Sequence, residues 1–572
     1  MRTERDLFAN QTDKSARTGR KVLRRIIGTA AILLLAGNSA FGQFLVQPMR
    51  IQVPVEPARR FAYEITLENL STVATETISL SLMDLTQDPN GIWQEIQPGD
   101  PNGGAASLRS CVSWLSLEKD VVEVSPFGRV PLKLLMKTPS GRRGYYFAAV
   151  LAQSAPRTEV VEGMTTMTIL QYVIPVILEV SGRPMRHEVE LKDIGLEFQS
   201  QTATRPAATM VAMDIENTGG TYSRLQGFAR VFGEWGGHWR KIAQIEYPET
   251  GIIPGVKLHL RQDVGRPLPS GKYKVEGYLY VDAQRSGRVA NELEFKGDPR
   301  VMTVRAEVAL DLSPREVFIE TIPGATRGDS LTVANASEEG VTITTELILP
   351  EHMEQIVNAR GVPGEAYGCV DWVTVQPRQF TLRGYGRQNI KIIARMPDSA
   401  AQLPNHYAMI KLHATYADGE EGGTTKARVC VQNRKATGTT QIDSMMLTLS
   451  ELSAGRYLTT ARFLNNGDTH VQPRCRAVLT TVPDDTARKR FIMSSEDYDQ
   501  TGILLPLDTR NFSGVLDVTD VAPGTYRLTA ILEHGQGQTV QDQRGIEVVE
   551  EGGQKVVKLL GPNRVSKTVI NL

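Results

Sequence analysis

Eight histidines and four cysteines are the residues of this 572-residue chain best suited to hold a metal or carry a nucleophile, and neither set is spaced to do so. The closest histidines, His406 and His413, lie seven apart in a predicted strand, and an odd spacing sends them to opposite faces. No C-x-x-C pair, H-E-x-x-H, G-x-S-x-G, phosphate-cradling glycine loop or dinucleotide fingerprint occurs. The residues therefore assign no catalytic, cofactor-binding or metal-binding group, and the chain reads as a non-enzyme. A cleft of paired carboxylates is the one catalytic arrangement that linear spacing cannot show. Cys111, Cys369, Cys430 and Cys475 read as buried thiols acting as small hydrophobes, with a bridge between Cys430 and Cys475 as the alternative.

The charged residues that do show a pattern are basic. Arg129, Lys133 and Lys137 recur as Arg387, Lys391 and Arg395, always four apart, so each set lies on one strand face at about 13 Å intervals. Val130, Leu132, Leu134 and Met136 point the other way. Such a ladder suits either an anionic partner, such as an acidic protein or wall polymer, or simple solvation of an exposed strand. Lys+Arg and Asp+Glu are equal at 64 each, which leaves no overall basic excess for nucleic acid.

Residues 1–42 carry eight basic and three acidic side chains, then an apolar run from Ile26 to Gly37 and small residues at Ala40 and Gly42. This pattern predicts a signal peptide cleaved before Gln43, with an uncleaved anchor as the alternative. No later stretch approaches a membrane span in length, so the expected location is the periplasm or cell surface.

These elements belong to a chain written twice. Cys111-Val-Ser-Trp-Leu-Ser-Leu117 matches Cys369-Val-Asp-Trp-Val-Thr-Val375, and the match runs on without a gap to Pro139 and Pro397, with seven of 29 positions identical. Leu67-Glu-Asn-Leu-Ser71 faces Val333-Ala-Asn-Ala-Ser337, Ile215-Glu-Asn-Thr-Gly219 faces Leu464-Asn-Asn-Gly467, and Pro269-Ser-Gly-Lys-Tyr273 faces Pro523-Gly-Thr-Tyr526. The unit that repeats thus contains two domains, and the chain reads A-B-A′-B′: A over 43–184, B over 185–306, A′ over 307–436, B′ over 437–550, and a tail over 551–572. Alternating segments such as Phe61–Leu67 and Lys272–Tyr280, punctuated by turn residues such as Asp88-Pro-Asn-Gly91, predict all-β antiparallel sandwiches of immunoglobulin type. Trp114 and Trp372, at matching places, are expected in the cores.

With these residues in view, each A-B unit resembles the two-domain PapD-like periplasmic chaperones, and the mature chain resembles two such pairs in tandem. In that family the last strand of the first domain completes the sheet of a fibre subunit by strand addition. The similar segment here is Met164–Val180, after a polar loop from Ser154 to Gly163, with Leu170, Tyr172, Ile174, Val176 and Leu178 on one face. Pro175 lacks a ladder donor and predicts a sheet edge. The resemblance also implies that Arg50 anchors a subunit's terminal carboxylate, although the lysine that accompanies it in the family has no counterpart between Met164 and Val180. A weaker similarity links the asparagine-containing strand ends and late P-G-x-Y turn to the surface proteins that partner WxL cell-wall proteins.

The sequence thus predicts an exported protein that binds envelope or surface proteins and assembles or scaffolds them by sheet-edge recognition. An anionic wall polymer is a second possible partner; nucleic acid and a membrane span after signal cleavage are not expected. The alternatives are an adhesin or structural surface protein without chaperone action, and a noncatalytic polysaccharide-binding component.

Overall fold

The computed structural model describes residues 44–560 except 72, 97–108, 162–163, 203–204, 355–360, 496–501 and 536, so the predicted signal lies outside the described residues. Among those described, the chain is built of strands, and its helical turns are short 3-10 segments such as Val112–Trp114 and Gly364–Tyr367. Alternation sets the strands. In Arg129–Lys137, Leu132, Leu134 and Met136 are buried while Arg129, Lys133 and Lys137 face water. Each such Leu contributes about 1.5–3 kcal/mol by leaving water.

Among the described residues the strands form ten sheets: eight make four pairs, and two are two-stranded, Arg157–Val161 with Met164–Thr168 and Leu85–Gln87 with Trp93–Glu95. The first pair sets Phe44–Gln47, Arg60–Asn69, Arg129–Lys137 and Leu115–Leu117 against Ile51–Val55, Gln171–Val180, Gly144–Ser154, Glu76–Met83 and Val121–Val124. The third pair repeats that order with Leu310–Ser313, Thr326–Asn335, Arg387–Arg395 and Val373–Gln376 against Glu316–Thr321, Glu421–Asn433, Asn405–Thr415, Val341–Ile348 and Gln379–Leu382. In both, the opening segment crosses from one sheet to the other at a proline, Pro48 or Pro314, and then runs parallel to the last strand. The second and fourth pairs each set three strands, beginning at Val189 and Ile442, against a larger sheet. Each pair encloses its own apolar core.

A buried asparagine closes a strand in every pair. Asn69 Nδ2 donates to the carbonyls of Ala74 and Val124, and its Oδ1 accepts from the Ser71 N–H. Asn217, Asn335 and Asn465 repeat this three-way bond with their own strand ends. In the second and fourth pairs Tyr273 and Tyr526 each donate a hydroxyl to a carbonyl four residues upstream, the tyrosine corner of immunoglobulin sandwiches.

Two features differ from the sequence reading, and for the cysteines the first reading, buried thiols, stands while its alternative falls. The segment taken as a tail opens with a strand, Gln554–Leu559, which turns at Gly552-Gly553 and pairs with Ile546–Glu551, so the last sheet extends past residue 550. All four cysteines are free and buried, which removes the Cys430–Cys475 bridge; Cys475 Sγ instead lies 3.9 Å from Met493 Sδ. Trp114 and Trp372 are half-buried lids on their cores, the first tilted against Tyr146 and the second edge-on to His406 at the matching position.

Candidate functional site

The strand Gln171–Val180 pairs antiparallel with Gly144–Gln153 along its whole length. On its other side Ile51–Val55 runs beside Val176–Val180 only. From Gln171 to Pro175 the outer edge therefore has no strand partner among the described residues. The edge continues backwards in an arm, where Met164–Thr168 pairs with Arg157–Val161 alone. Ser154 keeps arm and sheet in line: its N–H donates to Leu170 O, and its Oγ accepts from the Leu170 N–H. The result is an outer strand edge from Met164 to Pro175 that pairs with no second strand among the described residues, the geometry that accepts an added strand, although Ile174 and Pro175 at its inner end are themselves buried. The expected loop from Ser154 to Gly163 in fact contains the strand Arg157–Val161, which the alternation of Thr158 and Val160 with charged neighbours could have revealed.

The expectation that Pro175 marks an edge holds on its N-terminal side. Val176–Val180 is enclosed on both sides, and parallel pairing begins at the residue after the proline. Of the apolar face read from the sequence, Ile174, Val176 and Leu178 are fully buried in the sandwich's own core, whereas Leu170 and Tyr172 sit at its rim. Tyr172 meets Phe44 edge to face at 5.0 Å, and burial raises its phenol pKa. The opposite face is also engaged: Ile177 packs with Tyr145, Phe147, Tyr222 and Ile253, joining the first sandwich to the second. Along this strand only Gln171 is exposed.

Arg50 stands directly before Ile51, the residue registered with Val176, and so at the inner end of the open edge. Its Nη1 donates to the Tyr222 hydroxyl at 2.9 Å. Burial raises the Tyr222 pKa, and the Arg50 charge works against that rise. Burial likewise raises Glu249, again opposed by Arg50. The guanidinium thus already has a partner in the neighbouring sandwich, a contact that sequence spacing could not show.

The basic ladders lie on exposed strand faces as their periodicity requires. Their surroundings differ. Arg129 pairs with Glu68 at 2.9 Å, and Glu64 stands across from Lys133 in register. Ala334, Ser330 and Thr326 stand across from Arg387, Lys391 and Arg395, so no acidic residue faces that second ladder across this strand pair. The two ladders and the open edge lie on different sheets of their sandwiches.

One further close pair involves a thiol. Cys430 Sγ lies 3.7 Å from His470 Nδ1, but burial raises this thiol's pKa far above that of a reactive cysteine. Among the described residues no group of three or more His, Cys, Asp or Glu is placed to hold a metal ion, and no helix is long and apolar enough to cross a membrane.

No family model matches this sequence, and no curated protein matches it. Among solved structures it is similar to the E. coli chaperone DraB, with 13% identity over 40% of this chain and 94% of that one, at a TM-score of 0.21. The Pseudomonas aeruginosa CupB2 chaperone gives 11% identity over 41% and 98%, at 0.20. A PapD-like domain of human CEP192 gives 14% over 24% and 94%, at 0.18. The resemblance to PapD-like chaperones is one of fold, and it is distant.

Proposed function

We propose that this chain is an exported, non-enzymatic protein-binding module that captures a strand of another envelope or surface protein and thereby assembles or scaffolds it. The observation that carries the reading is the unpartnered backbone edge from Met164 to Pro175, presented on an arm that projects past its sheet. An incoming strand gains main-chain hydrogen bonds along this edge and ends beside Arg50. Leu170 and Tyr172 offer partly buried apolar surface beside it. The shared strand order of the first and third sheet pairs supports an A-B-A′-B′ chain of four immunoglobulin-like sandwiches that arose by duplication. The ladders of Arg129, Lys133, Lys137 and of Arg387, Lys391, Arg395 are secondary contacts for acidic stretches of such a partner.

The test is a variant in which residues 157–168 are replaced by Asp-Gly, closing the hairpin with a tight turn. Tagged unaltered and shortened chains are purified after cross-linking in intact cells. The reading predicts β-rich exported proteins with the unaltered chain and their loss with the shortened one. Equal recovery from a folded shortened chain contradicts it.

A further inference from the structure

The strand order of the first sandwich recurs in the third, so the third has an edge equivalent to Met164–Pro175. There Glu421–Asn433 takes the place of the arm and last strand, with Thr424 opposite His413 as Gln171 is opposite Gln153. Glu316–Thr321 covers it only from Arg428 onward. By strand pairing alone, Glu421–Ala427 would be a second open edge.

Its outer end, Glu421–Gly423, is not left open, and that is where a strand entering the edge would first pair. The segment that links the second sandwich to the third crosses it: the Val308 N–H donates to Gly422 O at 2.8 Å, and the Val308 side chain is buried in the third core. The approach is close enough that a Cβ at Gly423, whose φ is +102°, would meet Glu307 at 2.9 Å. Two side chains hold the crossing in place. Tyr416 donates its hydroxyl to Ala306 O at 2.6 Å, and Arg305 pairs with Asp418 at 2.8 Å while lying over the Tyr416 ring. Arg266 ties both parts together, donating to Arg305 O and to Glu421 O. Every one of these contacts joins the linker to the hairpin that bears the edge or to the sandwich behind it.

We infer that residues 305–308 act as a built-in strap that blocks the second edge, so that each chain takes one partner strand and takes it at Met164–Pro175. This rests on the strand-addition reading above. The register explains the asymmetry. Leu310 and Phe44 hold the same place in their sandwiches, opposite Asn335 and Asn69, so the position matching Val308 is Gly42. On the cleavage predicted from the sequence, Gly42 leaves with the signal and the first edge is freed of any equivalent strap.

A photoreactive benzoylphenylalanine placed at Gln171 or at Thr424 in the full chain tests this, because both side chains are exposed and occupy equivalent positions. The probe is a synthetic ten-residue peptide of alternating valine and threonine. The expected result is an adduct at position 171, none above background at 424, and a new adduct at 424 when Arg305→Ala and Tyr416→Phe release the strap. Equal adducts at both positions in the chain with its strap intact overturn the inference while leaving strand addition standing. A strap-released chain that melts cooperatively yet stays unlabelled at 424 also overturns it. Absence of labelling at 171 counts instead against the open edge itself.

Discussion

Glu179 and Arg544 stand 365 positions apart and meet as a buried ion pair, with Arg544 Nη1 3.2 Å from Glu179 Oε2 and side-chain exposures of 3% and 5%. Arg544 Nη1 also donates to Leu447 O, while its Nε and Nη2 have no hydrogen-bond partner among the described residues. The pair fastens the end of the first sandwich to the last one. Beside it, Leu559 N donates to Gly182 O, and the strand-like bridge between Arg186 and Glu451 continues the seam. The open edge is thereby carried on a braced base.

Cutting this pair on one side leaves a buried charge uncompensated. Glu179→Ala is expected to cost about 3–5 kcal/mol, whereas Glu179→Leu with Arg544→Met recovers most of that loss. Thermal unfolding of the three chains checks it. A loss below about 1 kcal/mol for Glu179→Ala, the size of an exposed pair, would show that the seam is not closed in solution.

The four asparagine corners give a second expectation. Asn217→Ala or Asn465→Ala strands two buried carbonyls and an N–H, at about 1–3 kcal/mol for each group left without a partner. Replacement by Asp, which keeps the acceptor but sets a buried carboxylate oxygen against the two carbonyls, should lower the denaturant midpoint at least as far as Ala. Equal stability of the Ala and native chains would contradict a keystone role.

These corners also mark how far the sequence could be read. The motif Asn-x-Ser or Asn-x-Gly stood out because it recurs at strand ends, and the structure supplies its reason in three hydrogen bonds. Strand alternation was legible in Arg129–Lys137 because one face meets water. It failed for Ile174–Val180, where both faces are buried and the residues read as one apolar run. Pro175 signalled an edge correctly as far as itself, but the parallel strand that begins beside Val176 comes from residues 51–55, about 120 positions away, and no local signal encodes that pairing. The Arg50–Tyr222 and Glu179–Arg544 contacts were invisible for the same reason: Arg50 was singled out, but no local signal pairs it with Tyr222, 172 positions on, or Glu179 with Arg544.

Asp282 provides a pH prediction. Burial pushes its carboxyl from 3.8 up to about 6, and the nearby His187, 3.8 Å away, opposes that rise. Between those two values the unfolded chain releases a proton that the fold retains, so this group's contribution to stability falls as pH rises from about 4 to 6, by up to about 3 kcal/mol. His187 has the opposite sign: burial lowers its pKa below 6.5, and stability falls as pH drops below that. The two slopes oppose each other. Asp282→Asn, tolerated at φ 49°, should raise stability at pH 7 and unmask the His187 slope on acidification. A variant with the parent's pH profile would contradict the assignment.

The thiols should be silent in the native state. Burial pushes Cys475 up to about 12 and raises Cys111, Cys369 and Cys430 further. A thiol reagent at pH 8 is expected to modify none of the four until denaturant is added, and then all of them, with no prior reduction needed. Rapid native labelling, or labelling only after a reductant, would contradict the buried free thiols.

The central claim is that a partner strand adds at Met164–Pro175, and amide hydrogen exchange on the captured complex tests it most directly. In the free chain, outward-facing amides of this run should exchange quickly while Val176–Val180 is protected on both sides. On capture, the account predicts new protection from Met164 to Pro175, with the edge at Gly423–Ala427 unchanged. Protection that appears elsewhere, with the amides from Met164 to Pro175 still exchanging as in the free chain, would contradict it.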